Sequence, residues 1–492
     1  MRGILVAAAL ALVRCVMAGA NPHKTPQYQT LPSLRDQAKI VDGWTDERKA
    51  LIPGILRKYG SGRVAGWFKS FSQCHTLRCL ITSYLFDPQQ ISQREYAEDT
   101  VFWALKEATM FSARRRTTQL FLANATAEGS YSYQWIENTD RVWTELKAIL
   151  DAHQPARVAL NTASELAFAS GLHAGERDVI ASALGEAWAD RFVLEPMLAV
   201  EVVAAMVPGR LVWYRRMMET AWAIIEEGFS SAVIRPGETT AWDVEWWMRD
   251  QIQALNYTTW FQPSVYILGK TDLPATAKMD DPRAPDHSIN YGDIIHTDFG
   301  VTAMGLNTDT QHLGYVLYPG QTAADVPASV VAGLRKANRL QDIVVAHMEI
   351  GRTGDEILQR SLDQARSEGI EGKIYCHATG EWGHSAGTVI GMTNLQEGVP
   401  VLGKLPLLKD TYYSIELYAE HFVPERNMTI KFPQEEDVFW NETAGVWEWV
   451  YGQQTELILV YTKEERKRKR CCAFRVMSSS SDLIFRSNDG LL

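Results

Sequence analysis

Five residues in the second half of the chain are of types that could together hold metal ions: Asp298, Asp309, His384, Glu416 and Glu435. Asp298 and Asp309 stand eleven positions apart in HTDFGVTAMGLNTDT, on either side of a glycine-bearing turn. Two buried carboxylates repel each other and resist desolvation, and divalent cations remove both penalties. His384 lies in the glycine-rich loop ATGEWGHSAGTVIGM, Glu416 in the apolar run YYSIELYAE, and Glu435 in TIKFPQEEDVFW. Four carboxylates and one neutral imidazole make a hard, mostly oxygen shell that suits Mn(2+), Zn(2+), Co(2+) or Fe(2+). The excess of carboxylate fits two ions better than one. Two ions can share a water, lower its pKa and stabilise the oxyanion of an attacked amide.

These residues need strands to hold them. IIHTDFGV and residues 309–317 read as two strands, and an antiparallel pairing would bring Asp298 and Asp309 face to face. Upstream, a long helix is predicted from Leu211 to Glu227, after the hinge-like MVPGR. IRPGETTAWDVEWWM follows, with Thr240 and Asp243 at the spacing of a capping box. The same grammar returns in IGRTGDEILQRSL, where Thr353 and Glu356 stand in the same relation. A helix, a glycine turn, a Thr–acid cap and a second helix thus occur twice, each time before a region of strands. The pattern fits an internal duplication within an α/β domain, with chance recurrence of two capped helix pairs as the alternative. Residues 46–205 also mix helices and strands. DTVFWALKEATMFSARRR is predicted as a helix, TQLFLA and PARVALN as strands, and 162–171 and 176–189 as helices.

Composition sets the outer bounds. A length of 492 residues suits two domains, and 46% hydrophobic content describes a globular protein. A formal charge of −10 argues against bulk nucleic-acid binding. The first twenty residues, MRGILVAAALALVRCVMAGA, combine Arg2, a short apolar run and the small residues AGA, which reads as a secretory signal peptide. Six cysteines exclude a disulfide scaffold; Cys74 and Cys79 are close enough to pair, and Cys376 is solitary. Sequons at Asn124, Asn256, Asn427 and Asn441 would accept glycan on a eukaryotic secretory route. The organisation expected is a signal peptide (1–20), a lead-in (21–45), an N-terminal α/β domain (46–209), a catalytic domain (210–462) and a basic tail (463–492) without burial periodicity.

Taken together, the motifs resemble the M24 metallopeptidases, which include methionine aminopeptidase, aminopeptidase P and prolidase, with creatinase as a metal-free relative. The resemblance covers about residues 210–460. It implies a pita-bread catalytic fold with pseudo-twofold symmetry, and a creatinase-like α/β domain before it. In the family pattern Asp298 matches the aspartate of D-F-G, Asp309 the second aspartate, His384 the histidine of G-H-x-x-G, and Glu416 the glutamate thirty-two residues later. Glu435 matches the last glutamate, with Glu436 as the register alternative. Glu416 would double as proton acceptor and Glu435 would bridge two divalent ions. Mn(2+) is the ion the resemblance favours, with Zn(2+) or Co(2+) as alternatives. His287, just before the G-D turn, matches a substrate-orienting histidine. The implied substrate is a peptide with a free N-terminus, cleaved beside proline; nucleic acid is not implied, and a homodimer is compatible with the family.

The sequence departs from the family in three places. A second histidine is expected seven residues after the loop ligand, where this chain has Gly391. His377, seven residues before His384, is the candidate to replace it. The arginine that precedes the final glutamate in many prolidase-like members is Pro433 here. Glu381 and Trp382 are unusual beside the ligand; Glu381 is placed to neutralise a substrate amine and Trp382 to form an apolar wall. The alternatives left open are a creatinase-like small-amide hydrolase on the same fold and a non-catalytic binding protein.

Overall fold

The computed structural model describes residues 25–59, 64–68, 100–109, 116–124, 131–136, 142–160, 162–170, 172, 174–270 and 288–461. The proposed signal peptide, His287, the Cys74/Cys79 pair and the basic tail lie outside these residues.

Helix α1, Leu34–Tyr59, opens the N-terminal part. Ser33 and Asp36 hydrogen-bond each other across its first turn, where an acid also meets the positive helix end. The helix runs through the 45/46 limit expected from the sequence, and its Val41 and Trp44 are buried in the core that also contains Tyr214. Strands β1 (Val64–Phe68), β2 (Thr100–Thr109), β3 (Arg116–Asn124) and β4 (Tyr131–Ile136) follow. After helix α2 (Val142–His153) come β5 (Arg157–Leu160), helix α3 (Ala174–Leu184), β6 (Phe192–Leu194) and helix α4 (Pro196–Ala204). The six strands form one mixed sheet in the order β4-β3-β2-β1-β5-β6.

Two expectations fail in this part. TVFWALKEAT is strand β2, not a helix: it pairs in parallel with β1 and antiparallel with β3. Its Thr, Val, Phe and Trp favour a pleated surface once neighbours exist on both sides. The 162–171 stretch is no helix either; Thr162 bridges Ser170 around a single 3-10 turn, Ala167–Ala169.

The second half is built twice. Helix α5 (Pro208–Gly228) starts with proline at its first turn, where a missing N–H costs nothing. Helix α6 (Ala241–Ala254) carries the predicted Thr240/Asp243 capping box. Then come β7 (Ser264–Ile267), β8 (Ile294–Phe299), the small pair β9 (Thr302–Ala303) and β10 (Leu306–Asn307), and β11 (Thr310–Val316). The repeat opens with helices α7 (Ala328–His347) and α8 (Gly354–Ser367), the latter with the Thr353/Glu356 capping box. Its strands are β12 (Gly372–Ile374), β13 (His377–Thr379), β14 (Tyr412–Ser414), β15 (Leu417–Val423), β16 (Met428–Gln434), β17 (Asp437–Asn441) and β18 (Val446–Trp449). Strand β19 (Ile458–Val460) pairs in parallel with β11.

Each repeat packs its helices on its own antiparallel strands. Met217, Ile224 and Met248 meet Ile295 and Phe299 in the first, and Leu340, Val344 and Ile357 share a core with Leu417, Ala419 and Phe432 in the second. The repeats are joined at their inner faces by bridges between Gln311 and Glu435 and between Asn307 and Gly380. Among the described residues no single helix is long and apolar enough to cross a membrane.

Candidate metal centre

The two repeats present carboxylates to the seam between them. Strand β8 carries Asp298, and β8 pairs antiparallel with β11 as expected. The register sets Gln311, not Asp309, directly opposite Asp298. Asp309 stands one residue before β11 and is buried. Glu416 lies between β14 and β15, and Glu435 between β16 and β17. Gln311 joins them: its Nε2 donates to Glu416 Oε1 at 2.6 Å and to Glu435 Oε2 at 2.9 Å.

The histidine in this cluster is His377. Its Nε2 lies 3.5 Å from Glu435 Oε1, 3.7 Å from Asp309 Oδ2 and 3.9 Å from Glu416 Oε2. Its Nδ1 lies 3.0 Å from the Ala378 carbonyl oxygen, which can only accept, so Nδ1 carries the proton. In the neutral ring Nε2 is then an acceptor, turned toward carboxylate oxygens that are acceptors too. His377 Nε2, Asp298 Oδ1 and Asp309 Oδ1 are buried without a hydrogen-bond partner. Burial, and then the charge of Glu435, push Asp298, Asp309 and Glu416 well above the usual carboxylate range. Acceptors converging on acceptors is the arrangement a cation resolves. The potential ligand atoms fall into two groups, Asp309/His377/Glu435 and Asp298/Glu416/Glu435, each with all its atoms within 4.8 Å of one another. Glu435 belongs to both.

His384 stands outside these groups. It is exposed, edge to face with His377 at 4.4 Å between ring centroids and 5.2 Å from Trp260. The sequence reading gave the metal to His384 and the second role to His377; the atoms turned toward the carboxylates are those of His377. His384 stands seven residues after His377. Gly391 has φ +78°, and a Cβ there would lie 2.2 Å from the Ile374 carbonyl oxygen, so no side chain fits.

The neighbouring acids have separate tasks. Glu436 turns away from the cluster to His312 Nε2 at 2.9 Å, Thr310 Oγ1 at 3.0 Å and Trp222 Nε1 at 3.3 Å. Asp437 Oδ2 accepts from Tyr214 Oη at 2.9 Å and from the Asp309 backbone N–H at 3.3 Å. Sequence reasoning missed Gln311, Tyr214 and Asp437. Gln311 two residues after Asp309 and Asp437 two residues after Glu435 were the local signals; nothing in the sequence pointed to Tyr214.

Glu381 does not wait for a substrate amine. Arg48 Nη1 donates to its Oε2 at 2.7 Å and Arg210 Nη2 to its Oε1 at 3.0 Å. Burial would raise this carboxyl, but the two guanidiniums outweigh it and hold it below its usual value. Trp382 packs near Phe168, ring centroids 6.2 Å apart.

Duplicated helix–strand halves around a carboxylate–histidine seam define a pita-bread domain of the metal-binding peptidase class. Residues 216–457 match metallopeptidase family M24, and the chain carries a domain of that family. No curated protein sequence matches the chain. Among solved structures it is similar to an X-Pro aminopeptidase from Thermotoga maritima, at 16% identity and a TM-score of 0.48 over 70% of this chain and 90% of that one. A dipeptidase from Pyrococcus horikoshii shares 15% identity with a TM-score of 0.47, over 84% of this chain and 99% of its own. A prolidase from Thermococcus sibiricus shares 11% identity with a TM-score of 0.45, over 88% and 100%.

Proposed function

We propose that this protein is a two-metal peptidase that hydrolyses the amide bond beside proline in short peptides with a free N-terminus. The observation that carries the reading is Glu435, whose carboxylate belongs to both groups of ligand atoms and so can bridge two neighbouring ions. Asp309, His377 and Glu435 would hold one ion, and Asp298, Glu416 and Glu435 the other. Bound divalent ions would supply an activated water and polarise the scissile carbonyl. Glu416, half-buried, is placed to take the proton of the attacking water on its carboxylate. Exposed His384 is placed to hold the substrate amide through a ring nitrogen, between His377 and Trp260. The motif resemblance to aminopeptidase P and prolidase directs the choice of substrate to Xaa-Pro. A leader of the kind residues 1–20 resemble would direct the enzyme into the secretory pathway, and exposed sequons would then accept glycan.

The test is peptide profiling with the protein loaded separately with Mn(2+), Zn(2+) or Co(2+), together with elemental analysis. Close to two ions per chain and turnover of Xaa-Pro peptides above matched Xaa-Ala peptides support the reading. Full activity in demonstrably metal-free protein would overturn the metal mechanism. Turnover of small amides without any peptide cleavage would overturn the substrate.

A further inference from the structure

The loop between His377 and His384 is held in part by the N-terminal helix α1. Glu381 lies between the two histidines, and its carboxylate is shared by Arg48 from α1 and Arg210 from α5. The side chains of both arginines are 4% exposed and that of Glu381 is 9% exposed. Both guanidiniums also donate to the Ala205 carbonyl oxygen, Arg48 at 2.8 Å and Arg210 at 3.2 Å. The backbone of the same loop is fastened to the metal side. Asn307, two residues before Asp309, donates from its backbone N to the Gly380 oxygen at 2.6 Å and from Nδ2 to the Glu381 oxygen at 2.7 Å. Ala386, just after His384, is buried with Ala159, Leu166 and Leu198 of the N-terminal part.

Two buried cations around one anion leave a net positive charge inside the protein, and Nε of both arginines has no partner. For stability alone, apolar residues would serve as well or better at such a site. The arrangement does fix a direction: two planar forks on one carboxylate define where Glu381 must stand.

We propose that Arg48 is a positioning residue of the active site. Through Glu381 it sets the loop that presents His384 to substrate, so helix α1 belongs to the catalytic apparatus; the catalytic half of this inference rests on the peptidase reading above. His377 is held separately by the pairing of β13 with β14, where it stands opposite Ser414. Loss of Arg48 should therefore disturb His384 and leave metal binding intact.

The experiment compares full-length parent, Arg48→Met, Arg48→Lys, His384→Ala and the double variant Arg48→Met/His384→Ala. In the metal-free proteins, hydrogen exchange of the amides of Gly380 and Ser385, bonded to Trp382 and Ala378, should quicken about tenfold or more in Arg48→Met, with β8 and β11 unchanged. With metal, Arg48→Met should lower kcat/KM on an Xaa-Pro peptide by about 10- to 100-fold with bound metal unchanged, since small misplacements carry penalties of this order. Arg48→Met should add little further loss in the His384→Ala background. Unchanged exchange at Gly380 and Ser385 overturns the clamp. Full additivity with His384→Ala, or loss of bound metal, overturns its action through His384. Should Arg48→Met fail to fold, Arg48→Lys, which keeps the charge but not the fork, is judged by the same exchange and kinetic criteria. An inactive parent would sink the peptidase reading and leave the exchange result as the judge of the clamp.

Discussion

His377 and His384 stand edge to face, ring centroids 4.4 Å apart and planes at 73°. Only the inner ring turns a nitrogen toward Asp309, Glu416 and Glu435. The loop thus carries one imidazole for the cluster and one for the space in front of it. His377→Ala should weaken divalent-metal affinity by more than about 100-fold, beyond the loss that removal of an outer partner typically causes. His384→Ala should keep its metal and lose turnover. Titration of metal-free protein with Mn(2+), read by calorimetry, separates the two; metal loss in His384→Ala alone would return the ligand to that residue.

Adjacent Glu435 and Glu436, in the extended link between β16 and β17, face opposite ways, Glu435 to Gln311 and Glu436 to His312. Glu435→Gln should abolish the shared ligand position and with it metal retention. Glu436→Gln should keep metal and lower stability by about 1–3 kcal/mol, the range for disturbing a buried hydrogen-bonded group. Metal analysis and thermal melting of the two variants decide it; equal metal loss in both would overturn the division of labour.

Gly391→His should not improve proline-peptide cleavage. The positive φ alone costs a non-glycine residue of order 1–3 kcal/mol, and the Ile374 carbonyl oxygen occupies the space of the added Cβ. A lower melting temperature and no gain in kcat/KM are expected. A stable variant with raised Xaa-Pro activity would show that position 391 does face the substrate.

Metal-free protein should lose stability as pH rises. Asp298, Asp309 and Glu416 are raised by burial and by Glu435. Above the ordinary carboxylate pKa the unfolded chain has released these protons while the folded site still binds them, so the slope of unfolding free energy with pH is negative. Saturating divalent metal should flatten or reverse that slope. Burial lowers His296, His312 and His384 and gives the opposite slope at acid pH, so denaturant titrations from about pH 7 upward, beyond the ordinary histidine range, with and without Mn(2+), test this; a metal-free stability that rises over that range would contradict the raised carboxylates.

Much of the catalytic half was legible because its signals are local. The Thr240/Asp243 and Thr353/Glu356 caps need only three-residue spacing, and both form. Asp298, Asp309, Glu416 and Glu435 stand at or beside apolar strands, and the fold brings them together. GHSAG, with glycines on both sides of His384, draws attention to that residue, while the approach of His377 to the carboxylates depends on β13 pairing with β14, a contact across thirty-seven residues. Strand β2 was misread because WALKEA has helical composition, and its state is set by β1 and β3. The partners of Glu381 were invisible for the same reason: Arg48 lies 333 residues away and Arg210 lies 171 away.

That separation has a consequence during synthesis. Arg48 and Arg210 leave the ribosome before Glu381 does, and an N-terminal part folding first would have no carboxylate to place between them. Two unneutralised guanidiniums resist burial, so the surface around Ala205 should stay open until residue 381 arrives. Completion of the interior charge cluster and completion of the histidine loop would then be a single late event in the life of the nascent chain.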